Sequence, residues 1–528
     1  MKVVTVPEML AIERAADLGG HSYPAMMEAA GRALAEWILW SYPDSADPTA
    51  LGLVGPGNNG GDTLLALLHL ANAGWNTTAW LITRPESDDE LIERARLAGC
   101  EILSASSPGD PRVETRLSEC RFVLDGVFGT GIRLPLRPPA AELLAFAKSR
   151  LSDRVEPAVV VAVDCPSGVD CQTGAAAPQS IRADHTVCMA AAKIGLFALP
   201  AAGLVGHLVT VSIGLSEGLP EWQVVSREAV DEQRVREILP DRLLDAHKGT
   251  FGTALIGAGS VNYPGAVYLA ASAAYRVGAG LVNVACPQWV CEALAGQIPE
   301  AIWFPLPQSD GALGEEAAEL LRTQFRRATS VLIGPGLGLA RQTLGFVEKL
   351  LEGGSFPPAV VDADGLKLLA RVPDWSERLP GRSILTPHPG EMSVLTGLTT
   401  AAVQADRLQA AETFARQWNQ IVVLKGAFTL IADPDGRIAL IPIATPALAR
   451  AGSGDVLAGA IAGLLAQGLD PFEAALAGAW IHARAGLTAA NTLGSSAAVL
   501  ARDILNSLPA VLSRLSGTAA GIDLLEDS

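Results

Sequence analysis

Short apolar runs alternate with amphipathic stretches along most of the chain. In the first half, runs rich in β-branched residues occur at 51–55, 77–83, 121–126, 158–164, 185–190 and 208–214. The segments between them carry apolar residues at helical spacing, and this alternation predicts βαβ units around a mostly parallel sheet. Because the loops that follow parallel strands meet at one edge of the sheet, we expect ligands to bind there.

The same alternation resumes after a charged segment that lacks a strand pattern. We place the boundary between two domains at residues 217–228, and later runs occur at 253–260, 280–287, 330–338, 359–366, 383–391 and 421–442. The last run predicts a hairpin around residues 433–436. The most apolar stretch, 455–483, is interrupted by Asp470 and Pro471 and predicts two buried helices rather than a membrane span. We expect the tail after residue 515 to be disordered.

The composition limits the classes of partner. A chain of 528 residues is too long for one core, and its net charge of −17 argues against nucleic acid or an anionic membrane as a partner. Residues 1–20 contain no apolar segment typical of a signal peptide, so we expect a cytoplasmic protein. The seven cysteines form no CxxC pair, and we interpret them as buried free thiols rather than a zinc site or a disulfide framework.

A glycine-rich sequence, GPGNNGGDT at residues 55–63, follows the first of these runs. Glycine allows a ligand to approach the main chain, and the free N–H groups at the start of the next helix attract anions such as a pyrophosphate. The spacing is neither GxGxxG nor GxxxxGK, so it indicates neither the dinucleotide fingerprint nor a P-loop.

Two other predicted strands of the first half end in polar residues. Asp125 precedes a glycine-containing loop at 129–135, and Asp164 is followed by Ser167. Together with Asn59, Asp125 and Ser167 offer oxygen ligands to a hard cation that would offset the charge of a polyphosphate. The alternative interpretation is that these loops are ordinary tight turns with Asx caps.

The second half contains another glycine-flanked loop before a long apolar helix. The N–H groups of Gly452–Gly454 would face a phosphate, and Asp455 would take the proton of a hydroxyl during phosphoryl transfer. Alternatively, Asp455 caps the helix. Lys425–Thr429 and His388 lie near other strand ends, where we interpret them as nucleotide and substrate contacts; a strand-end charge and a structural histidine are the alternatives.

The motifs GPGNNGGD, LDGVFGTG and VDCPSGVD, with the lysine of TVCMAAAKIGL, resemble the NAD(P)H-hydrate epimerase domain. The resemblance covers nearly all of residues 1–215, and we delimit the domain at 1–222 with a Rossmann-like three-layer α/β fold. It implies that Asp164 and Lys193 act in catalysis and that potassium binds to Asn59, Asp125 and Ser167. Thr63 departs from the family, which commonly has a glycine there. The residues implied to bind the hydrated dinucleotide are Asn58, Asn59, Gly60, Gly61, Asp62, Gly129, Thr130, Gly131, Ile132, Arg133, Leu134, Pro135 and Asp164.

The second half resembles the ADP-dependent NAD(P)H-hydrate dehydratase of the ribokinase-like superfamily, through HKGTFGTALIGAGS, YPGAVYLAASAAYRVGAG, GPGLG and VDADGL. This resemblance implies a ribokinase-like three-layer α/β domain at 228–515 with Asp455 as a catalytic residue. Thr445 and Ala447 depart from the commoner Asn-Pro-Gly form. The implied hydrate contacts are Ala266, Gly336, His388 and Asp455. The implied nucleotide contacts are Lys425, Gly426, Ala427, Phe428, Thr429, Thr445, Pro446, Ala447, Leu448, Ala449, Arg450, Ala451, Gly452, Ser453 and Gly454.

Together the two resemblances imply repair of hydrated NADH and NADPH. The first domain would interconvert the R and S hydrates, and the second would dehydrate the S hydrate with ADP, giving AMP and phosphate. ADP, potassium and magnesium are the implied cofactors, and a homo-oligomer is the implied assembly. The alternatives are a small-molecule or vitamin kinase fused to a Rossmann-like domain, and a first half that serves only as a binding or scaffold module.

Overall fold

The computed structural model describes residues 1–43, 45, 48–104, 107–352 and 356–516. The chain divides into two compact units, Met1–Arg227 and Glu228–Ser528. Of the predicted disordered tail, residues 517–528 lie outside the described residues. No helix in the described part of the chain combines the length and apolar character needed to cross a membrane. All seven cysteines are buried and free, as predicted.

A seven-stranded parallel sheet forms the centre of the first unit. The strands of this unit are β1 (Val3–Val4), β2 (Thr49–Val54), β3 (Asn76–Leu81), β4 (Glu101–Leu103), β5 (Phe122–Gly126), β6 (Val159–Val163), β7 (His185–Met189), β8 (Ala192–Lys193) and β9 (His207–Val211). Its helices are α1 (Val6–Leu18), α2 (Tyr23–Ser41), α3 (Asn58–Asn72), α4 (Glu90–Leu97), α5 (Pro111–Glu119), α6 (Ala140–Ser152) and α7 (Pro220–Gln223), with 3-10 turns at Ile194–Phe197 and Ala201–Gly203.

The strand order of this sheet reverses between β2 and β5. The order is β4-β3-β2-β5-β6-β7-β9, and every pairing is parallel. From β2 the chain first adds β3 and β4 on one side and then crosses to β5 on the other, and ligands of open parallel sheets bind at the carboxyl ends of the strands beside such a reversal. Strands β1 and β8 form a separate parallel pair that aligns Val4 with Lys193.

The second unit contains a ten-stranded sheet. The strands that follow the first unit are β10 (Arg227–Ala229), β11 (Thr253–Gly257), β12 (Leu281–Pro287), β13 (Ile302–Leu306), β14 (Gln308–Ser309), β15 (Ala312–Leu313), β16 (Ser330–Ile333), β17 (Ala359–Val361), β18 (Ile384–Leu385), β19 (Ile421–Leu424), β20 (Leu430–Ala432) and β21 (Ile438–Leu440). The helices are α8 (Glu232–Ile238), α9 (Pro264–Arg276), α10 (Gln288–Leu294), α11 (Glu315–Gln324), α12 (Arg341–Leu350), α13 (Asp364–Leu369), α14 (Trp375–Arg378), α15 (Pro389–Thr396), α16 (Thr400–Ala405), α17 (Arg407–Trp418), α18 (Ser453–Ala466), α19 (Pro471–Leu493) and α20 (Ala501–Ser516), with 3-10 turns at Phe325–Arg327, Pro446–Leu448 and Ser496–Ala498.

Most of this second sheet is parallel. The order is β10-β21-β20-β19-β18-β17-β16-β11-β12-β13. The strands that run in this order from β19 through β16 and β11 to β13 all pair with their neighbours in parallel. Strands β20 and β21 form the predicted antiparallel hairpin, with a turn closed by the N–H of Gly436 on the carbonyl of Asp433. The predicted pair of buried helices is also confirmed, as α18 and α19. The fold class predicted from the sequence, α/β with a mostly parallel sheet in each half, is therefore confirmed.

Candidate active sites

The glycine-rich segment of the first unit lies at the carboxyl end of β2 and is packed against its neighbours. Helix α3 begins at Asn58, so Asn58–Asp62 form its first turn rather than an extended loop. A Cβ atom on Gly60 would lie 1.9 Å from the carbonyl oxygen of Gly55, and one on Gly55 would lie 1.9 Å from that of Val127. Only glycine lets the ends of β2 and β5 and the start of α3 approach so closely.

Thr63, the departure from the family pattern, fits its position. Its Oγ1 donates a 2.7 Å hydrogen bond to the carbonyl oxygen of Asn59, one turn earlier on α3. A Cβ atom on Gly126 would lie 1.8 Å from this Oγ1, and one on Gly52 would lie 2.9 Å from the threonine methyl group. The side chain therefore occupies space that two strand glycines leave open.

The three predicted metal ligands lie together around Phe128. Asn59 Nδ2 donates to the carbonyl oxygens of Val163 at 2.6 Å and Phe128 at 3.3 Å. The N–H of Phe128 donates to Ser167 Oγ at 3.0 Å, and the N–H of Ser167 donates to Asp125 Oδ2 at 2.8 Å. Asp125 is fully buried, and its Oδ1 has no hydrogen-bond partner among the described residues. A buried carboxylate oxygen without a donor, beside neutral oxygens, fits a hard cation.

Asp164 and Lys193 form a buried ion pair at the end of β6. Lys193 Nζ donates to Asp164 Oδ1, and the N–H of Met189 donates to the same oxygen at 2.9 Å. The side chain of Asp164 is 9% exposed and that of Lys193 is 1% exposed, so Lys193 is not a solvated surface lysine. Burial by itself would lower the pKa of Lys193, but the charge of Asp164 outweighs it and the pKa is raised. The pair therefore places a charged lysine against a carboxyl group in a buried position.

The loop after β5 combines one packed residue with a more open remainder. A Cβ atom on Gly129 would lie 2.2 Å from Asn59 Oδ1, so this glycine is part of the packed cluster. Residues 130–135 are half-buried or exposed and take no part in the hydrogen bonds of that cluster. The structure thus joins Gly129 to Asn59, Asp125 and Ser167 and leaves the rest of the loop at the rim.

In the second unit, a lysine and several carboxyl groups meet at the ends of β17, β18 and β19. Lys425 Nζ lies 2.7 Å from Asp362 Oδ1 and 3.7 Å from Glu391 Oε2. Thr386 Oγ1 donates to the same Asp362 oxygen at 2.7 Å. Burial would lower the pKa of Lys425, but the charges of Asp362 and Glu391 raise it. Lys425 is therefore a charged group held by acids, not an isolated strand-end charge.

Asp455 faces this group from the first turn of α18. The N-cap of α18 is Gly452, whose φ is +87°, and Asp455 is the third residue of the helix, so the alternative of a capping aspartate is wrong. A Cβ atom on Gly454 would lie 3.4 Å from Lys425 Nζ and 3.7 Å from Asp362 Oδ2. Burial and the charge of Asp362 raise the pKa of Asp455 to about 7, which Lys425 partly opposes. This value suits a group that exchanges a proton near neutral pH.

Helix α9 brings two of the predicted hydrate contacts to the same side of the sheet. A Cβ atom on Gly336, where φ is +63°, would lie 3.0 Å from the Cβ of Ala266 on α9. Helix α9 packs directly on α18, because a Cβ atom on Gly459 would lie 2.2 Å from the carbonyl oxygen of Ala270. Ala266 and Gly336 are thus held by the helix that also supports Asp455.

His388 has a clear structural role. Its Nδ1 accepts hydrogen bonds from the N–H groups of Gly390 at 3.0 Å and Glu391 at 3.2 Å, and Glu391 Oε2 accepts from the N–H of His388 at 3.0 Å. This reciprocal pair caps α15. Half of the His388 side chain remains exposed, and its Nε2 lies 3.4 Å from Glu391 Oε1.

The segment 445–454 is ordered by two short-range contacts. Thr445 Oγ1 accepts from the N–H of Ala447 at 3.2 Å and caps the 3-10 turn Pro446–Leu448. Ser453 Oγ donates to the carbonyl oxygen of Leu448 at 2.7 Å. Threonine thus supplies a side-chain oxygen for the turn in place of the commoner asparagine.

Two residues beside these sites carry no role in the sequence interpretation. Arg407 on α17 donates to the carbonyl oxygens of Ala427 at 2.5 Å and Leu424 at 3.0 Å, and so holds the 425–429 loop. Asp362 lies in the VDADGL motif, so the sequence does contain a local signal for it. Arg407 lies in an ordinary amphipathic helix, and its contact with the loop arises only from the fold.

Both units are similar to known proteins. A family model described as NAD(P)H-hydrate dehydratase matches residues 254–510, and one described as YjeF-related protein N-terminus matches residues 24–195. The bifunctional NAD(P)H-hydrate repair enzyme Nnr of Moorella thermoacetica is 38% identical over 525 residues, which are 98% of this chain and 97% of that protein. The enzyme of the same name from Salinibacter ruber is 36% identical and covers 93% of this chain and 92% of its own.

Solved structures include the ADP/ATP-dependent NAD(P)H-hydrate dehydratase from Bacillus subtilis co-crystallised with ATP and Mg²⁺. It is 34% identical, covers 54% of this chain and 97% of its own, and has a TM-score of 0.46. The full-length relatives align with both units, and they confirm the resemblance that the motifs indicate. The chain belongs to the family of bifunctional NAD(P)H-hydrate repair enzymes.

Proposed function

We propose that the protein repairs hydrated NADH and NADPH, with one step in each unit. Residues 1–222 interconvert the R and S configurations at C6 of the hydrated ring, and residues 228–515 dehydrate the S hydrate with ADP. The observation that carries this proposal is the pair of sites, each with a lysine bound to an aspartate beside a glycine-rich helix start. The alternative of a vitamin kinase is not favoured, because the relatives that span both units are repair enzymes.

In the first unit, we assign the hydrated dinucleotide to Asn58–Asp62 and the loop 129–135. The free N–H groups at the start of α3 attract the pyrophosphate. Asp164, paired with Lys193, exchanges a proton at the C6 hydroxyl. Potassium would be held by Asn59, Asp125 and Ser167, and its positive charge would offset the negative charge of the phosphates.

In the second unit, the oxygen of the C6 hydroxyl attacks the β-phosphorus of ADP, and Asp455 takes the proton of that hydroxyl. A bond forms between that oxygen and phosphorus, the bond to the bridging oxygen breaks, and AMP leaves. Electrons of the ring nitrogen then expel phosphate from C6, and loss of the C5 proton restores the reduced ring. The N–H groups of Gly452–Gly454 stabilise the charge that develops on the transferred group.

The remaining predicted residues have assignments around this reaction. Lys425–Thr429 and Thr445–Gly454 bind ADP, and Ala266, Gly336 and His388 contact the hydrate. Magnesium would be held mainly by the phosphate oxygens, with Asp362 offering a carboxylate oxygen and the ion neutralising phosphate charge. The expectations of a cytoplasmic location and of a homo-oligomer stay predictions.

The experiment that tests the proposal is incubation with a mixture of R and S hydrates and ADP. Reduced-nicotinamide absorbance should return in full, because epimerisation feeds the R form to the dehydratase. If only the absorbance that corresponds to the S hydrate returned, the epimerase assignment would be contradicted. Accumulation of a stable phosphorylated product would contradict the dehydratase assignment and support a kinase.

A further inference from the structure

Asp62 lies beside the Asp164–Lys193 pair and has no role in the steps above beyond substrate contact. Asn59, three residues earlier on α3, donates to the carbonyl of Val163, the residue before Asp164. Because side chains three apart share one face of a helix, Asp62 projects toward the same strand end. It is only 7% exposed.

Glu13 reaches the same place from α1. Strand β1 pairs with β8 so that Val4 lies opposite Lys193, and α1 starts two residues after Val4. The helix therefore begins close to the lysine. Ile12 and Ala16 are buried on α1, and Glu13 between them is half-buried. Burial raises the pKa of Glu13, the charge of Lys193 lowers it, and that of Asp164 raises it.

The cluster therefore contains three carboxyl groups and one lysine. Lys193 is bonded to Asp164, and no lysine, arginine or histidine among the described residues forms an ion pair with Asp62. Burial is the largest effect on Asp62, followed by the charges of Asp164 and Glu13, and together they raise its pKa well above the ordinary value, against the opposing charge of Lys193. Two neighbouring carboxyl groups in different environments can serve as acid and base in one reaction.

We propose that Asp62 is the proton donor of the epimerase, opposite Asp164 as acceptor, and that Glu13 is a positioning residue that keeps the proton on Asp62. The proposal rests on the epimerase function proposed above. Asp62 gives its proton to the C6 hydroxyl, the C6–O bond breaks, the ring nitrogen lone pair forms a double bond to C6, and water leaves. Water then adds to the other face of C6, the double-bond electrons return to nitrogen, and Asp164 takes the released proton. Asp164 then releases its proton to solvent and Asp62 takes one up, which restores both groups for the next turnover.

The full-length enzyme provides the test, because its dehydratase reports on folding in the same chain. Asp62→Asn should lower the rate of R-to-S conversion by about 10² to 10⁴, the usual cost of removing an acid or base. S-hydrate dehydration should stay unchanged. Asp153→Asn, at the exposed end of α6, is the matched control and should leave both rates unchanged.

A pH profile and a spectrum separate this role from a structural one. The parent epimerisation rate should fall as pH rises and Asp62 loses its proton, and Glu13→Gln should move that fall to lower pH because it removes a neighbouring negative charge. The infrared difference spectrum of the parent minus Asp62→Asn at neutral pH should show the C=O band of a protonated carboxyl group, because the subtraction cancels the band of Asp455, whose pKa is about 7. An unchanged rate in Asp62→Asn, or no such band in the difference spectrum, would overturn the proposal. A parent that shows the difference band but does not epimerise would contradict the proposed function and the catalytic role, and would uphold only the protonation of Asp62.

Discussion

The main-chain N–H of Ser167 donates a 2.8 Å hydrogen bond to Asp125 Oδ2. The other carboxylate oxygen, Oδ1, is buried and has no partner among the described residues. We therefore expect epimerisation to be faster in potassium than in lithium, since the smaller cation releases its water less readily. The measurement is the initial rate of R-to-S conversion in a series of alkali chlorides at constant ionic strength.

A substitution at Asp125 connects this cation effect to the cluster. Asp125→Asn keeps an oxygen for the Ser167 N–H but removes the charge, so it should weaken the preference for potassium without changing S-hydrate dehydration. Equal rates in all alkali cations for the parent would contradict the assignment of Asn59, Asp125 and Ser167 to potassium.

Asp455→Asn should separate the two activities of the chain. Asparagine has nearly the same size but cannot take the hydroxyl proton, so ADP-dependent dehydration should fall by about 10² to 10⁴. ADP affinity and epimerisation should remain at the parental level. Asp241→Asn, at an exposed position of the second unit, is the control. Dehydration at the parental rate would exclude Asp455 as the base, and loss of ADP binding would indicate a structural defect instead.

The site residues that follow strands in both sheets could be predicted from the sequence, because each set lies within one short motif. Gly452–Asp455 and Asn58–Asp62 each combine glycine with polar residues next to an apolar run, and these signals lie within a few residues of one another. The sequence does not predict strand β13, because it contains Pro305, which is unfavourable in strands. The glycines of Asn58–Asp62 predict a loop because they disfavour helix, and tertiary packing makes this segment the first turn of α3 instead.

Other features depend on contacts between residues far apart in the chain. Arg407 reaches Ala427 through the packing of α17 beside β19, and Glu13 comes under the charges of Lys193 and Asp164 because β1, just before α1, pairs with β8. Neither residue has a motif around it, so the sequence contains no local signal for its position. The pKa of Asp455 likewise depends on Asp362, which is brought near by the order of strands in the sheet.

The pH dependence of dehydration should follow Asp455. Its pKa is raised to about 7 by burial and by Asp362, so below this pH the carboxyl group holds its proton and cannot act as a base. We expect kcat to rise with pH and to level off above about 7. Asp362→Asn removes the neighbouring negative charge and should move this rise to lower pH. A profile that does not move would contradict the coupling of Asp362 to Asp455.

The second unit should fold and work alone. Its main hydrophobic core is formed by residues from Val230 to Leu515, whereas the cores of the first unit lie between Val4 and Val225. A protein of residues 228–528 should therefore dehydrate the S hydrate with ADP and leave the R hydrate unchanged. An insoluble or inactive product, beside an active full-length chain, would contradict independent folding.

The contact of Gly459 with Ala270 should set the position of Asp455, which lies one turn earlier on α18. A Cβ atom on Gly459 would lie 2.2 Å from the carbonyl oxygen and 2.6 Å from the Cα of Ala270, so Gly459→Ala must move α18 away from α9. Overpacking of this kind costs about 1–3 kcal/mol, and we expect a lower free energy of unfolding for the fragment 228–528 together with slower dehydration. Gly296→Ala is the control, because a Cβ atom there meets nothing within 4 Å and its φ is not positive. If Gly459→Ala matches Gly296→Ala in both stability and rate, close packing of the two helices does not hold Asp455 in place; if only stability falls, the position of Asp455 is set by the glycine loop rather than by α9.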